Sequence, residues 1–313
     1  MKQGLVLKST GSSYQVKSDN NEIINCKIRG KFRTKGIKTT NPIAVGDIVD
    51  FKFDDNSEFG IISKIHPRKN YIIRKSINLS KQAHILAANI DQAVLMVTLA
   101  KPKTYPEFID RFLVSAEAYQ IPAKIIFNKI DLYDEELIKE MGALMNLYEG
   151  IGYGCFQTSA KKGIGIDEVK ELLKDKISVI SGHSGIGKSS LINTIQPSLN
   201  LKTSEISDYH ESGKHTTTFP EMHELSKDSY IIDTPGIKGL GMVDMEKEEI
   251  AHYFPEMFKA LKNCQFYNCT HSHEPNCAVK LAVENGTIKK SRYKSYLSIL
   301  AGDEDEKFRS VGY

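Results

Sequence analysis

Nowhere in the 313 residues does an apolar run reach the roughly 18 residues needed to cross a bilayer. The opening stretch, MKQGLVLKST, lacks the apolar h-region of a secretory signal. The expected location is therefore cytoplasmic, with no membrane partner. There is no internal repeat and no low-complexity tract, which argues against a solenoid or a disordered tail. No coiled-coil heptad or other dimer-forming feature is present, so a monomer is expected. Charge of one sign is not in large excess either, with 42 Lys/Arg against 39 Asp/Glu. The 40% hydrophobic and 26% charged content is that of a globular protein, and the length suits two or three domains.

Cysteine is scarce, with five in all: Cys26, Cys155, Cys264, Cys269 and Cys277. Three fall within fourteen residues. In a reducing compartment such a cluster reads as metal ligands rather than disulfides. The small net charge hides an uneven distribution. Residues 1–70 carry thirteen Lys/Arg against seven Asp/Glu, and residues 259–296 seven against two. Basic ends around a neutral or acidic centre suit a polyanionic partner, although a solvated surface gives the same composition.

The chain divides by pattern. Short apolar alternations at 4–7, 14–16, 23–28, 48–53 and 60–65 are separated by Gly, Asn and Asp. They predict five strands and a small barrel of the OB type over 1–67. Residues 68–89 read as a linker with a few hydrophobic anchor points. From residue 90 apolar runs (93–99, 124–127, 155–158, 177–180, 217–225, 229–232) alternate with helical patterns (106–118, 135–148, 166–173). This predicts an α/β domain over 90–244, a mostly parallel sheet with helices on both faces. Residues 245–313 read as a mostly helical domain around a Cys/His loop.

Residues 182–189, GHSGIGKS, match the G-x-x-x-x-G-K-[ST] phosphate loop between a predicted strand and a predicted helix. Gly182, His183, Ser184, Gly185, Ile186 and Gly187 would turn their amides around the phosphates at a helix N-terminus. Lys188 would reach the β- and γ-phosphates, Ser189 would ligate Mg²⁺, and Ser190 continues the site. DTPG at 233–236 follows a strand. Asp233 is placed to hold Mg²⁺ through water, and Gly236 to offer an amide to the γ-phosphate. NKID at 128–131 ends another strand. There Asp131 can accept two hydrogen bonds from guanine, Asn128 can meet the base edge, and the Lys129 stem can lie over the ring. Adenine lacks that paired donor face, so the site discriminates for GTP and GDP. In TSA, at 158–160, Ser159 and the Ala160 amide complete the base site.

The order of these motifs is informative. Ordinary small GTPases begin with the phosphate loop, whereas here NKID and TSA precede it. A permuted chain preserves fold contacts when the original ends lie close. The cut falls after DTPG, which ties residues 245–313 to the segment that responds to γ-phosphate loss. In GKHTTTF, residues 213–219, Thr217 is the expected γ-phosphate sensor and Mg²⁺ ligand, ahead of Thr216 and Thr218. The water-orienting Gln found after DxxG in Ras-like proteins is replaced by Ile237. Hydrolysis must then rely on another group: His215, a backbone carbonyl or a partner's residue. Slow turnover that a partner raises is expected.

Residues 264–277, CQFYNCTHSHEPNC, offer Cys264, Cys269, Cys277 and either His271 or His273. Three thiolates and one imidazole make a closed, structural Zn²⁺ site. TIKKSRYKSY, residues 287–296, mixes basic and aromatic residues in a way that suits RNA phosphates and bases, or a solvated helix face.

The succession NKID, TSA, GHSGIGKSS, HTTT, DTPG and CQFYNCTHSHEPNCAV, with AANIDQAVLM upstream, resembles the RsgA (YjeQ/YloQ) family of circularly permuted GTPases. The resemblance spans nearly the whole chain. It implies an N-terminal OB-fold, a central permuted GTPase domain and a C-terminal zinc domain. It places the zinc ligands on Cys264, Cys269, His271 and Cys277, choosing His271 over His273. It also implies a late step in maturation of the small (30S) ribosomal subunit, contact with its rRNA, release coupled to GTP hydrolysis, and stimulation by the subunit. Two other readings compete. In an RNA-binding adaptor the nucleotide would be mainly structural, as Ile237 allows. An ATP-using enzyme would share the phosphate loop, and NKID speaks against it.

Overall fold

The structure, a computed structural model, describes residues 2–28, 41–53, 58–75, 83–201, 220–233 and 245–302. Five strands form the N-terminal barrel: β1 (Lys2–Ser9), β2 (Tyr14–Ser18), β3 (Ile23–Ile28), β4 (Ile48–Phe53) and β5 (Gly60–Ile65). They run in the order β1-β2-β3-β5-β4, and a β4–β1 pairing closes the ring. Only β3 and β5 pair in parallel. Alternation along each strand sends Val6, Val16, Cys26, Val49, Phe51 and Ile62 inward. This is the predicted five-stranded barrel.

Residues 68–89 are not a plain linker. They contain a hairpin of β6 (Tyr71–Lys75) and β7 (Ala83–Ala88), paired antiparallel. The hairpin is docked rather than suspended. Ile72, Ala87 and Ala88 are fully buried, and Val45 bridges to Ala87. Arg68 grips the buried Asp47 with both ends of its guanidinium, at 2.6 Å each. Gly46 lies at φ +89°, and a Cβ there would fall 2.1 Å from the Ala88 carbonyl oxygen. Glycine is required for so close an approach. The anchor points read from the sequence are thus one edge of a continuous apolar contact.

The central sheet follows, in the order β10-β9-β8-β11-β13-β12. Its strands are β8 (Gln92–Val97), β9 (Ala123–Phe127), β10 (Gly154–Gln157), β11 (Ile177–Ser181), β12 (Glu221–Ser226) and β13 (Ser229–Asp233). All pairings are parallel except that of β12 with β13. Every residue of β8 is buried, as a central strand covered on both faces must be. Ala93, Leu95 and Val97 join one core with α1 (Pro106–Ala118) and α2 (Glu135–Ile151). Val94 and Met96 join the opposite core with α3 (Ile166–Leu173) and α4 (Lys188–Ile195). Local signals set the helix ends. Pro106 opens α1, and Asp134 caps α2 by accepting from the Leu137 amide at 2.9 Å, with Glu135 and Glu136 in the first turn. The strand expected from 217 begins, among the described residues, at Glu221.

The C-terminal unit comprises a 3-10 turn (Ile250–Tyr253), α5 (Pro255–Leu261), α6 (Ala278–Glu284) and α7 (Lys290–Leu300). Its core gathers Phe254, Met257, Val279, Ile288 and Tyr296, with Val114 contributed by α1. Among the described residues no helix is long and apolar enough to cross a membrane.

Candidate functional site

NKID, TSA and the phosphate loop follow β9, β10 and β11, which are parallel, so all three emerge at the same edge of the sheet. Asp233 ends β13, parallel to β11, and its backbone stands at that edge too. In open α/β sheets ligands bind at this carboxyl edge.

Asn128 holds the loops together. It is buried, and its side-chain amide donates to the Ile186 carbonyl at 2.9 Å. Its Oδ1 accepts from the Thr158 hydroxyl at 3.0 Å and lies 3.4 Å from the Ala160 amide. The sequence reading places Asn128 and the Ala160 amide against the base; in this structure Asn128 joins the Ala160 amide to the Ile186 carbonyl of the phosphate loop. The loop backbone passes so near that a Cβ on Gly187, at φ +97°, would come 2.5 Å from Asn128 Nδ2. Lys129 crosses the same loop, its ammonium donating to the carbonyls of Gly185 (2.7 Å) and Lys101 (2.8 Å). Burial pulls its pKa below the usual lysine range, with Asp131 opposing. Asp131 accepts from the Ser159 hydroxyl at 2.5 Å, which orients its carboxylate. Lys188 folds over the loop and donates to the carbonyls of Gly182 (2.6 Å) and His183 (2.9 Å).

Two residues of this assembly had no role in the sequence reading. Thr158 stands inside the TSA motif and could have been suspected. Tyr133 carried no signal at all. Its hydroxyl accepts from the Leu99 amide at 2.8 Å and bonds the Asn128 carbonyl at 3.0 Å, bracing NKID from below. His215, Thr217, Gly236 and the side chain of Asp233 lie outside what the structure describes.

The second site is in the C-terminal unit. The donor atoms of Cys264, Cys269, His271 and Cys277 all lie within 4.8 Å of one another. His271 Nδ1 is 3.3 Å from Cys277 Sγ and 3.6 Å from Cys264 Sγ, and those two sulfurs are 4.0 Å apart. A tetrahedron of thiolates and imidazole around one ion has edges of about 3.5–3.8 Å. His273 is exposed and bonds Ser272, so geometry selects His271 of the two. Burial, then the neighbouring thiols, pushes Cys269 up to about 12, and burial lowers His271. Neutral donors crowded this closely fit a bound cation, which supplies the charge that turns thiols into thiolates. Partial burial alone would raise the Glu274 carboxyl. Hydrogen bonds from the Thr270 hydroxyl (2.6 Å) and the Thr270 and Ser272 amides instead hold it down to about 2.

The basic-aromatic stretch separates in space. Arg292 and Tyr296 are fully buried, and Lys289, Lys290 and Lys294 are exposed. Only its lysines can meet a polyanion; the base-stacking role suggested by composition does not extend to Tyr296.

Fold and sites together define a P-loop guanine-nucleotide domain of permuted motif order, carried between a five-stranded barrel and a helical unit whose Cys/His cluster could hold a metal. A sequence model described as the RsgA GTPase matches residues 65–243, and one described as the RsgA N-terminal domain matches residues 3–62. The chain belongs to the RsgA GTPase family. A relative from Bacteroides thetaiotaomicron, named small ribosomal subunit biogenesis GTPase RsgA 2, is 57% identical over 309 residues, 99% of each chain. The namesake from Flavobacterium psychrophilum is 55% identical over 312 residues, covering 99% of this chain and 95% of its own. The crystal structure of YjeQ from Thermotoga maritima is similar with a TM-score of 0.79 and 39% identity, over 96% of this chain and 98% of that one. YloQ, described as a circularly permuted GTPase, gives 0.74 and 30%, over 99% and 96%.

Proposed function

We propose that this protein hydrolyses GTP in the cytoplasm as a monomeric, late-acting maturation factor of the small ribosomal subunit. In this reading it binds rRNA, and hydrolysis drives its release. The observation that carries the nucleotide assignment is Asn128. It clamps the phosphate loop and the TSA loop to NKID, which supports one nucleotide site shared by Asp131 and Lys188. Asp131, oriented by Ser159, reads guanine; Lys188 and the loop amides from His183 to Ser190 bind the phosphates. Ser189, Thr217 and Asp233 would hold Mg²⁺, which when bound neutralises charge on the phosphates. Gly236 and Thr217 sense the γ-phosphate. His215 is the proposed group that positions the attacking water, since Ile237 cannot. The ribosomal assignment is supported by the names of the relatives. Cys264, Cys269, His271 and Cys277 hold one structural Zn²⁺, whose affinity for three thiolates and an imidazole fits the donor set.

The test is hydrolysis by the purified full chain, with GTP and ATP in parallel, with and without isolated small subunits. Slow GTP-specific turnover that the subunit raises, and that Lys188→Ala abolishes, is the expected result. Turnover of ATP in preference to GTP would overturn the guanine assignment, and indifference to the subunit would remove the ribosome.

A further inference from the structure

Helix α1 is covered on every side. Its residues Phe108 to Ala116 are buried, nine in succession. The sheet accounts for only part of that run: Phe108, Ile109, Phe112, Leu113 and Ala116 belong to the core beneath it. The polar side of the helix is covered instead by the C-terminal unit. Val114 enters that unit's core. Arg111 donates to the Ser298 hydroxyl of α7 at 3.2 Å. Asp110, fully buried, receives the Arg292 guanidinium of α7 at 2.7 Å.

At its first turn α1 also touches the nucleotide site. The Phe108 ring stacks on His183 of the phosphate loop, with centroids 4.0 Å apart and planes 31° from parallel. On the far side α7 reaches the metal loop. Tyr293 donates to the His271 carbonyl at 2.6 Å, and Tyr296 to the Thr270 carbonyl at 2.5 Å. Tyr293 directly follows Arg292. An unbroken set of packed groups therefore runs from metal ligand to phosphate loop: His271, Tyr293, Arg292, Asp110, α1, Phe108, His183. Asp110 and Phe108 stand two residues apart in the first turns of α1, one held by the buried ion pair and the other by the ring contact, so a displacement at Arg292 is carried to His183 across this short, closely packed stretch rather than absorbed.

The geometry points to α1 as a strut through which metal binding orders the phosphate loop, with Phe108 as a positioning residue for nucleotide binding. This connection is separate from the covalent one that follows DTPG, and its nucleotide consequence rests on the function proposed above. The phosphate loop is thus held by a contact within its own domain whose position depends on the C-terminal unit and the order of its Cys/His loop.

Hydrogen–deuterium exchange of the peptide covering 182–190 tests this in nucleotide-free, full-length protein, metal-loaded and after chelation. Chelation should raise exchange in that peptide in the wild type. Phe108→Leu, which removes the ring and keeps most of the volume, should raise it in the metal-loaded protein and leave little further response to chelation. The same variant should weaken binding of a fluorescent GDP analogue about three- to tenfold, the scale of an aromatic pair. His183→Ala breaks the stack from the loop side and should uncouple the peptide in the same way, should Phe108→Leu not fold. Exchange at 182–190 that ignores chelation in the wild type, or that responds equally in the variants, overturns the strut. Wild-type protein that fails to bind the GDP analogue would overturn the nucleotide reading alone, because the exchange experiment contains no nucleotide.

Discussion

Arg292 has no exposed surface, yet it is flanked in sequence by Ser291 and Tyr293 in a stretch that looks solvated. Its guanidinium donates to Asp110 and to Glu256, each at 2.7 Å, and lies over the Phe254 ring at 4.6 Å from the centroid. Tyr148 donates to the same Asp110 oxygen at 2.9 Å. Burial pushes the Asp110 carboxyl up, while Arg292 and the hydroxyl donors around it pull it down. Removing the cation would leave a carboxylate inside the protein with no opposing charge. Arg292→Ala should therefore destabilise the fold by about 3–5 kcal/mol, the range for breaking a buried pair from one side, read as a lowered denaturation midpoint. A variant as stable as the wild type would show that the pair contributes nothing. The residues that make chemistry legible, such as Lys188 and Cys264, stand in motifs because their spacing is local. Arg292 and Asp110 are 182 residues apart, so neither marks the other in the sequence.

Among elements, the helices and strands of the central domain follow their hydrophobic periods closely. The pattern at 106–118 and at 166–173 coincides with α1 and α3, since a 3.6-residue apolar repeat is a property of the segment alone. The β6–β7 hairpin is the contrary case. It is apolar at most positions without a strict alternation; Ile72 and Ala87 join the core of the central sheet, while Arg68–Asp47 and the Gly46 approach to Ala88 tie it to the barrel, so distant partners rather than its own pattern decide its burial. Gly46→Ala would place a methyl group against that carbonyl and force a non-glycine residue into the left-handed region. The expected effect is a loss of more than about 1 kcal/mol, with faster proteolysis of the hairpin than of the central sheet. Unchanged protection would mean that the close approach is not needed for docking.

For the whole molecule, the barrel and the central sheet are continuous through β1 and β12, which share the register pair Lys8–Glu221. Lys17 of β2 reinforces that seam, donating to Glu224 at 2.7 Å and to the Tyr230 hydroxyl at 3.0 Å. Burial alone would lower the Lys17 pKa, but these two partners raise it above the ordinary lysine value. A group whose pKa is higher when folded stabilises the charged, docked state below its unfolded pKa of about 10.4. That contribution disappears as pH climbs through the higher folded value. Docking of the barrel should hold at neutral pH and weaken above about pH 10.4, and Lys17→Met should remove that pH dependence. Small-angle scattering across the range would detect the added spread, and a Lys17→Met protein with the wild-type profile would discount the seam.

The hairpin within 68–89 is not legible in the chain alone, whereas most element types, the permuted motif order and the candidate nucleotide and metal-ligating residues other than His271 are. Each of these is written within a few neighbouring residues, where spacing alone imposes geometry. His271 over His273 was left open by composition and decided by the loop's closure around the sulfurs. The tertiary structure alone decided that Asn128 binds the phosphate loop, that α1 is enclosed between sheet and C-terminal unit, and that Arg292 belongs to the interior. Those outcomes depend on which faces meet after the chain has folded, and a buried charge or amide is stable only where a distant segment supplies its partner.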